Sequence, residues 1–192
     1  MQRVKTVLAL IGLLAIVAIL TVLIKAQTIL AGFDPEARAT YFQMAKVLLE
    51  TGNPADATVW RAKVQNGLSF DDVDQAIKSV ATSMNIKDVG ELPLGDQVSA
   101  MEGRPWRKLK IYLYCNPLTA AHMIDYSDAF SAYLPCRIAL LQNATGQLWI
   151  YTINMDLLIT GGKPLPPALR EEALNVKKII QTILSDGAKG DF

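Results

Sequence analysis

From Val7 to Ile24 the chain runs 18 residues without a charge, and only Gly12 and Thr21 interrupt a series of Leu, Ile, Val and Ala. As a helix rising about 1.5 Å per residue, the run spans roughly 27 Å, close to the hydrocarbon thickness of a bilayer. A helix satisfies its own backbone polar groups, as lipid requires. A cleaved signal peptide is the main rival, but its apolar core is shorter and ends at a small-x-small site, whereas this run ends at Lys25. A buried core helix would show a polar side, and none is present. The pattern predicts a transmembrane signal anchor over 1–26.

Beyond the run the periodicity changes several times. Asp34-Pro35-Glu36 reads as a helix start, with Asp as N-cap and Pro at the first helical position. That helix carries Tyr41, Met44, Ala45, Leu48 and Leu49 on one stripe and stops at Gly52-Asn53-Pro54. It either packs on the following domain or lies on the bilayer surface. Ala57 to Val64 predicts a strand. Ser69 and Asp72 resemble a capping box for a helix bearing Val73, Ala76, Ile77, Val80 and Met84. The mixed stretch from Ile86 to Gly103 predicts a short strand over 97–101.

The clearest strand follows. Leu109, Ile111, Leu113 and Cys115 alternate with Lys108, Lys110, Tyr112 and Tyr114, which predicts an apolar covered face and a polar-aromatic exposed one. Asn116-Pro117 opens a helix through Tyr126. Cys136 to Gln142 and Gln147 to Ile153 form a hairpin about Asn143-Ala-Thr-Gly146. Leu169, Ala173, Val176, Ile180 and Ile183 line a last helix closed by Gly187. These elements predict an α+β fold: a two-layer domain with a mostly antiparallel sheet covered by helices, preceded by one transmembrane helix. The chain divides into the anchor (1–26), a juxtamembrane helix (27–54), the α+β domain (55–160), and a Pro-rich loop with its amphipathic helix (161–192).

Charge adds orientation. Arg3 and Lys5 precede the run, while Lys25 and Arg38 follow it among Asp34 and Glu36. A two-charge tail before a first apolar segment is the usual layout of a signal anchor with its N-terminus inside. The expected location is the bacterial inner membrane, single-pass, with the domain facing the periplasm. Setting aside Arg3, Lys5 and Lys25 leaves 16 basic against 18 acidic side chains, a net charge near −2. A nucleic-acid partner is therefore not expected.

Cys115-Asn116-Pro117, then Ala120-Ala121, then Leu134-Pro135-Cys136-Arg137-Ile138, then Gly146, follow one another in an order that resembles the domain-of-unknown-function family 302. The likeness covers about residues 57 to 155, and the Gly67-Leu-Ser-Phe-Asp-Asp72 helix entry is similar too. The anchor, the juxtamembrane helix and the C-terminal loop with its helix are departures from the short soluble members. The resemblance implies an α+β two-layer fold, leaves a homodimer open, and carries no activity.

Three sets of residues carry candidate chemistry. Cys115 and Cys136 are the only cysteines, each in step with the apolar residues of its strand, so both are expected to point toward the helix-covered side. If the two strands are antiparallel neighbours the sulfurs can approach. Buried inert thiols, a structural disulfide, and a reactive thiol or soft-metal pair all remain open. His122, the sole histidine, sits beside Met123; no short chelating spacing supports a metal there, and a surface histidine near a helix end is the simpler reading. Lys108, Lys110, Tyr112 and Tyr114 form the candidate binding face, read either as a solvated strand face or as a surface for an anionic ligand or lipid headgroups, with Trp106, Trp149 and Tyr151 nearby.

No convergent catalytic set and no glycine-rich phosphate loop is present, so no cofactor is expected. The function expected is a membrane-anchored extracytoplasmic binding or accessory module for a protein partner or small ligand. A thiol-dependent redox or sulfur-handling protein using Cys115 and Cys136, and a subunit of a larger membrane complex, are the alternatives.

Overall fold

The computed structural model describes residues 2–191. Helix α1 (Gln2–Leu30) contains a 27-residue segment, Val4–Leu30, that is long and apolar enough to cross a membrane and is not buried against the rest of the protein. The side chain of Arg3, used for the orientation argument, lies outside the described residues. Helix α2 (Ala37–Thr51) starts two residues later than Pro35 suggests. Asp34 still serves its entry, accepting the Glu36 N–H at 2.9 Å. Gly52, at φ 66°, ends the helix by donating to the Leu48 carbonyl.

A single-turn helix, α3 (Pro54–Ala57), leads into β1 (Val59–Lys63). Helix α4 (Phe70–Ser83) opens on a true capping box, with Ser69 and Asp72 each accepting the other's backbone N–H. The region 86–103 departs from expectation. The strand there is β2 (Lys87–Leu92), and 97–101 falls inside a helix, α5 (Leu94–Glu102). β2 is an edge strand broken by an irregularity between Asp88 and Gly90, so its sequence shows no alternation. Helix α5 lies against the chain entering the next strand because Gly95 has no side chain; a Cβ there would sit 2.6 Å from the Arg107 carbonyl oxygen and the Leu109 nitrogen.

Strand β3 (Leu109–Cys115), helix α6 (Pro117–Tyr126), a 3-10 turn (Asp128–Tyr133), strands β4 (Cys136–Gln142) and β5 (Leu148–Ile153), a short α7 (Asp156–Ile159) and the long α8 (Pro167–Gly187) complete the fold. The architecture is α+β, with five strands in the order β1-β5-β4-β3-β2 and every neighbour antiparallel. Helices α4 and α8 pack on each other and against one face of the sheet. Helix α8 ends at Gly187 as expected, and that residue is also a packing position, where a Cβ would meet Ile77 at 3.0 Å. Helix α8 buries Leu169, Ala173, Val176, Ile179, Ile180, Ile183 and Leu184 in the same core as the sheet.

The two-residue alternation of β3 holds, but its covered face is the reverse of the expectation. Tyr112 and Tyr114 are 0% and 1% exposed beneath the helices, while Leu109, Ile111 and Leu113 are half-buried on the outer face. Trp149 and Tyr151 of β5 stand on that outer face as well, so they do not extend the Lys110 and Tyr112 row. A hydrophobic alternation separates two faces; it does not say which one the helices cover.

Candidate functional site

Two of the residues expected to bind from β3, Lys110 and Tyr112, instead join a half-buried polar network. Lys110 Nζ lies 2.8 Å from Asp74 Oδ1 and 2.6 Å from Glu91 Oε2, joining α4 to β2. Lys78 repeats the bridge from one helical turn on, at 2.9 Å to Asp74 and 3.1 Å to Glu91. The Tyr112 hydroxyl donates to Asp74 at 2.5 Å. Burial pushes the Asp74 and Glu91 carboxyls up, but the hydrogen bonds from Lys110 and Lys78, and for Asp74 also from Tyr112, outweigh it and hold both below their ordinary values. Burial likewise raises the Tyr112 phenol, and its bond to Asp74 adds to the effect. Tyr114 stacks on Tyr112 with ring centres 6.3 Å apart, and its buried hydroxyl has no hydrogen-bond partner. Lys108, at the rim, places its ammonium over the Phe70 ring. The two tyrosines thus belong to the core and not to an exposed face, while Lys108 stays at the surface.

The motif residues surround something different. Asn116 caps α6, accepting the Thr119 N–H at 3.3 Å, and Pro117 takes the first helical position. Leu134 and Pro135, joined by a cis peptide, bring the chain back so that Cys136 lies opposite Tyr114 in the antiparallel β3–β4 pair. Cys136 faces the helices as expected. Cys115 stands one residue past Tyr114 and so belongs to the outer-face row, a correction to the expectation that both point inward. Its place at the strand end still lets both thiols line one apolar cavity of about 50 Å³ with Met123, Phe130, Met155 and Val176.

Both cysteines are free. Burial raises both thiols, and Cys136 is pushed up to about 11, with the neighbouring Cys115 adding to it. Two thiols and two thioethers are soft donors, but a thiol must shed its proton to ligate, and these surroundings oppose that. Among the described residues no cluster of three or more His, Cys, Asp or Glu stands together. His122 lies apart on the surface, with Nδ1 2.9 Å from Glu172 Oε2. That hydrogen bond holds the Glu172 carboxyl low.

The thiol environment gives a direct expectation. Iodoacetamide should modify both cysteines slowly at pH 7, half-buried Cys115 ahead of Cys136, with the Cys136 rate climbing as pH approaches 11. Mass spectrometry of the intact chain reads the two rates. Rapid modification at neutral pH would instead reveal the activated thiolate that a thiol mechanism needs.

The outer face holds a larger opening. A cleft of about 380 Å³ lies over β1, β5, β4 and β3, floored by Val59, Ile111, Ala139 and Ile153 and walled by Tyr133, Tyr151 and Arg137. Its size and its mix of apolar floor with few polar groups suit a small ligand. Tyr133 borders both the cleft and the thiol cavity. Arg137 is exposed, and among the described residues no carboxylate pairs with its guanidinium. The Leu134-Pro135-Cys136-Arg137 segment thus puts a thiol on one side of β4 and a cation on the other. Of this site, Arg137 was visible in the sequence as part of a motif; Tyr133 and Tyr151 were not assigned to it, because only the sheet order brings them together.

Comparison with known proteins agrees with this architecture. The family model described as "Domain of unknown function DUF302" matches residues 60–186, a stretch that takes in α8 as well as the sheet. Among solved structures, the crystal structure of an uncharacterised conserved DUF302 protein from Bacillus stearothermophilus superposes with a TM-score of 0.53 at 17% identity, covering 67% of this chain and 97% of that one. At that identity the likeness speaks for the fold alone. No curated protein matches the sequence. With its motif segments inside the matched region, and its five-stranded antiparallel sheet and core helices inside it to within one residue at either end, this chain belongs to the DUF302 family.

Proposed function

We propose that this protein is a single-pass binding module, held by α1 at the periplasmic face of a bacterial inner membrane, that takes a small anionic ligand with an apolar body in the Arg137 cleft. The observation that carries the reading is Arg137 itself: a cation without an acidic partner at the wall of an apolar, aromatic-sided cleft. A carboxylate or similar anion would supply the missing partner, and Tyr133 and Tyr151 would flank its apolar part. The α1 segment supports the tether through its length, its apolar composition and its lack of burial. The raised thiols count against a thiol-dependent mechanism and for packing roles of Cys115 and Cys136.

Titration with benzoate, and with benzyl alcohol as its uncharged counterpart, tests the site. The detergent-solubilised full chain should bind benzoate in preference to the alcohol. Arg137→Gln should weaken benzoate binding by roughly tenfold or more, the worth of one charge-assisted hydrogen bond. Equal binding of both probes, or unchanged benzoate affinity in Arg137→Gln, would remove the reading. Resistance of the chain to carbonate extraction tests the tether separately.

A further inference from the structure

Helix α2 presents an apolar stripe to the outside. Phe42 and Leu49 are 74% and 86% exposed, and Tyr41 and Leu48 are 46% and 43% exposed. With Ala45 between them, these positions fall within an arc of about 120° on the helix surface, the width of a face that normally packs on something. The domain does not fill that role. It is touched by a different side of the helix, where Ala37 is buried and Thr40, Met44 and Val47 are half-buried. Tyr41 reaches across to donate to the Gly161 carbonyl at 2.7 Å, which fixes the helix in place and leaves the stripe facing away.

The chain itself says what lies opposite. Helix α1 ends at Leu30, and turn hydrogen bonds continue through Gly32 and Phe33. Four residues after Leu30, Asp34 is pinned to the domain: its N–H donates to the Gly162 carbonyl at 2.8 Å, and its buried carboxylate lies 3.5 Å from Arg170. Four residues reach at most about 14 Å. Whatever surface α1 emerges from is therefore within that reach of the start of α2. The Val4–Leu30 segment, about 40 Å long as a helix, exceeds a hydrocarbon core of about 30 Å, so its ends lie at headgroup level. Arg38 on the stripe side of α2 and exposed Lys163 next to Gly162 place two cations near the start of α2, as phosphate headgroups favour, while Lys46 farther along pairs with Glu50.

We infer that the exposed stripe of α2 lies in the headgroup layer of the same bilayer that holds α1, so that the domain is docked on the membrane rather than swinging from it. This rests on the anchor reading above. Apolar side chains at the acyl boundary and basic groups at phosphate level are the arrangement of an interfacial helix.

Benzoylphenylalanine placed singly at Phe42, Leu49, Gln43 and Leu14 of the full chain, followed by irradiation of intact membranes and intact-mass analysis, tests it. All four positions are exposed, so the fold tolerates the substitutions, and circular dichroism of each variant checks that it does. Lipid adducts are expected at Phe42 and Leu49, as at Leu14 within the span, and should be lost at Gln43. Adducts to protein at Phe42 and Leu49, or none, while Leu14 still captures lipid, would overturn the docking and leave the anchor standing. Loss of the Leu14 adduct together with release by carbonate would overturn the anchor and the docking with it.

Discussion

Replacing Lys110 with Met should lower the unfolding free energy of the domain by about 1–2 kcal/mol, because it leaves Lys78 as the only cation between two half-buried carboxylates that the fold has drawn together. Lys110 is the least exposed cation of the network, at 17%, and it contacts both Asp74 and Glu91. Lys78 contacts the same two acids but is 39% exposed, so it makes up only part of what the less exposed Lys110 provides. Denaturant titration of the solubilised chain, followed by tryptophan fluorescence, measures the loss; a change below about 0.5 kcal/mol would put the network among ordinary surface pairs. Tyr114→Phe is the internal contrast. Its hydroxyl is buried without a partner, so its removal should change stability by less than about 1 kcal/mol in either direction.

The same network sets an acid limit. Asp74 and Glu91 are held below their ordinary values of 3.8 and 4.5, so in the window beneath those values the folded chain binds fewer protons than the unfolded one. Their contribution is fully present above about pH 5 and is lost as pH falls through the folded-state values. Stability should therefore drop on acidification below about pH 4.5, and Lys110→Met should show a shallower drop because it has less of this stabilisation to lose.

Ile183→Ala should cost about 3–4 kcal/mol, the range for a large aliphatic side chain removed from a fully buried site. Ile183 is 0% exposed, as is Ile180 one turn earlier, and both belong to the core shared by α4, α8 and the sheet. Ile183→Val, which keeps most of the volume, should cost only about 1 kcal/mol. The result bears on how the chain is organised. If 161–192 were an appendage, Ile183→Ala would leave the main unfolding transition in place; if α8 is half of the helical layer, as its burial shows, the whole domain should unfold earlier in one transition.

Much of the fold is written locally. The apolar N-terminal helix, the Ser69–Asp72 box, the Asn116-Pro117 helix entry and the 143–146 hairpin each depend on a few neighbouring residues, and each appears where the sequence puts it. The edge strand β2 and helix α5 did not announce themselves. An edge strand with a break has little alternation to read, and α5 depends on Gly95 meeting backbone from residues 107 and 109, a contact between segments.

The candidate site was legible only in part. Cys136 and Arg137 stood out as motif residues, but the cleft also needs Tyr133 from the 3-10 turn, Tyr151 from β5 and Val59 from β1, which meet only through the order β1-β5-β4-β3. The network of Asp74, Lys78, Glu91 and Lys110 left one faint trace, the four-residue spacing of Asp74 and Lys78 on a helix.

The sequence alone determined where the helices other than α3, α5 and α7 and every strand but β2 lie, that α1 is long and apolar enough to span a bilayer, and that β3 has two chemically distinct faces. Tertiary structure decided which of those faces is covered. Tyrosine is large and apolar over most of its surface, so once Asp74 accepts the Tyr112 hydroxyl, burying the tyrosine row fills the core better than burying the leucine row. That choice depends on a carboxylate 38 residues away in the chain, and no local pattern within β3 records it.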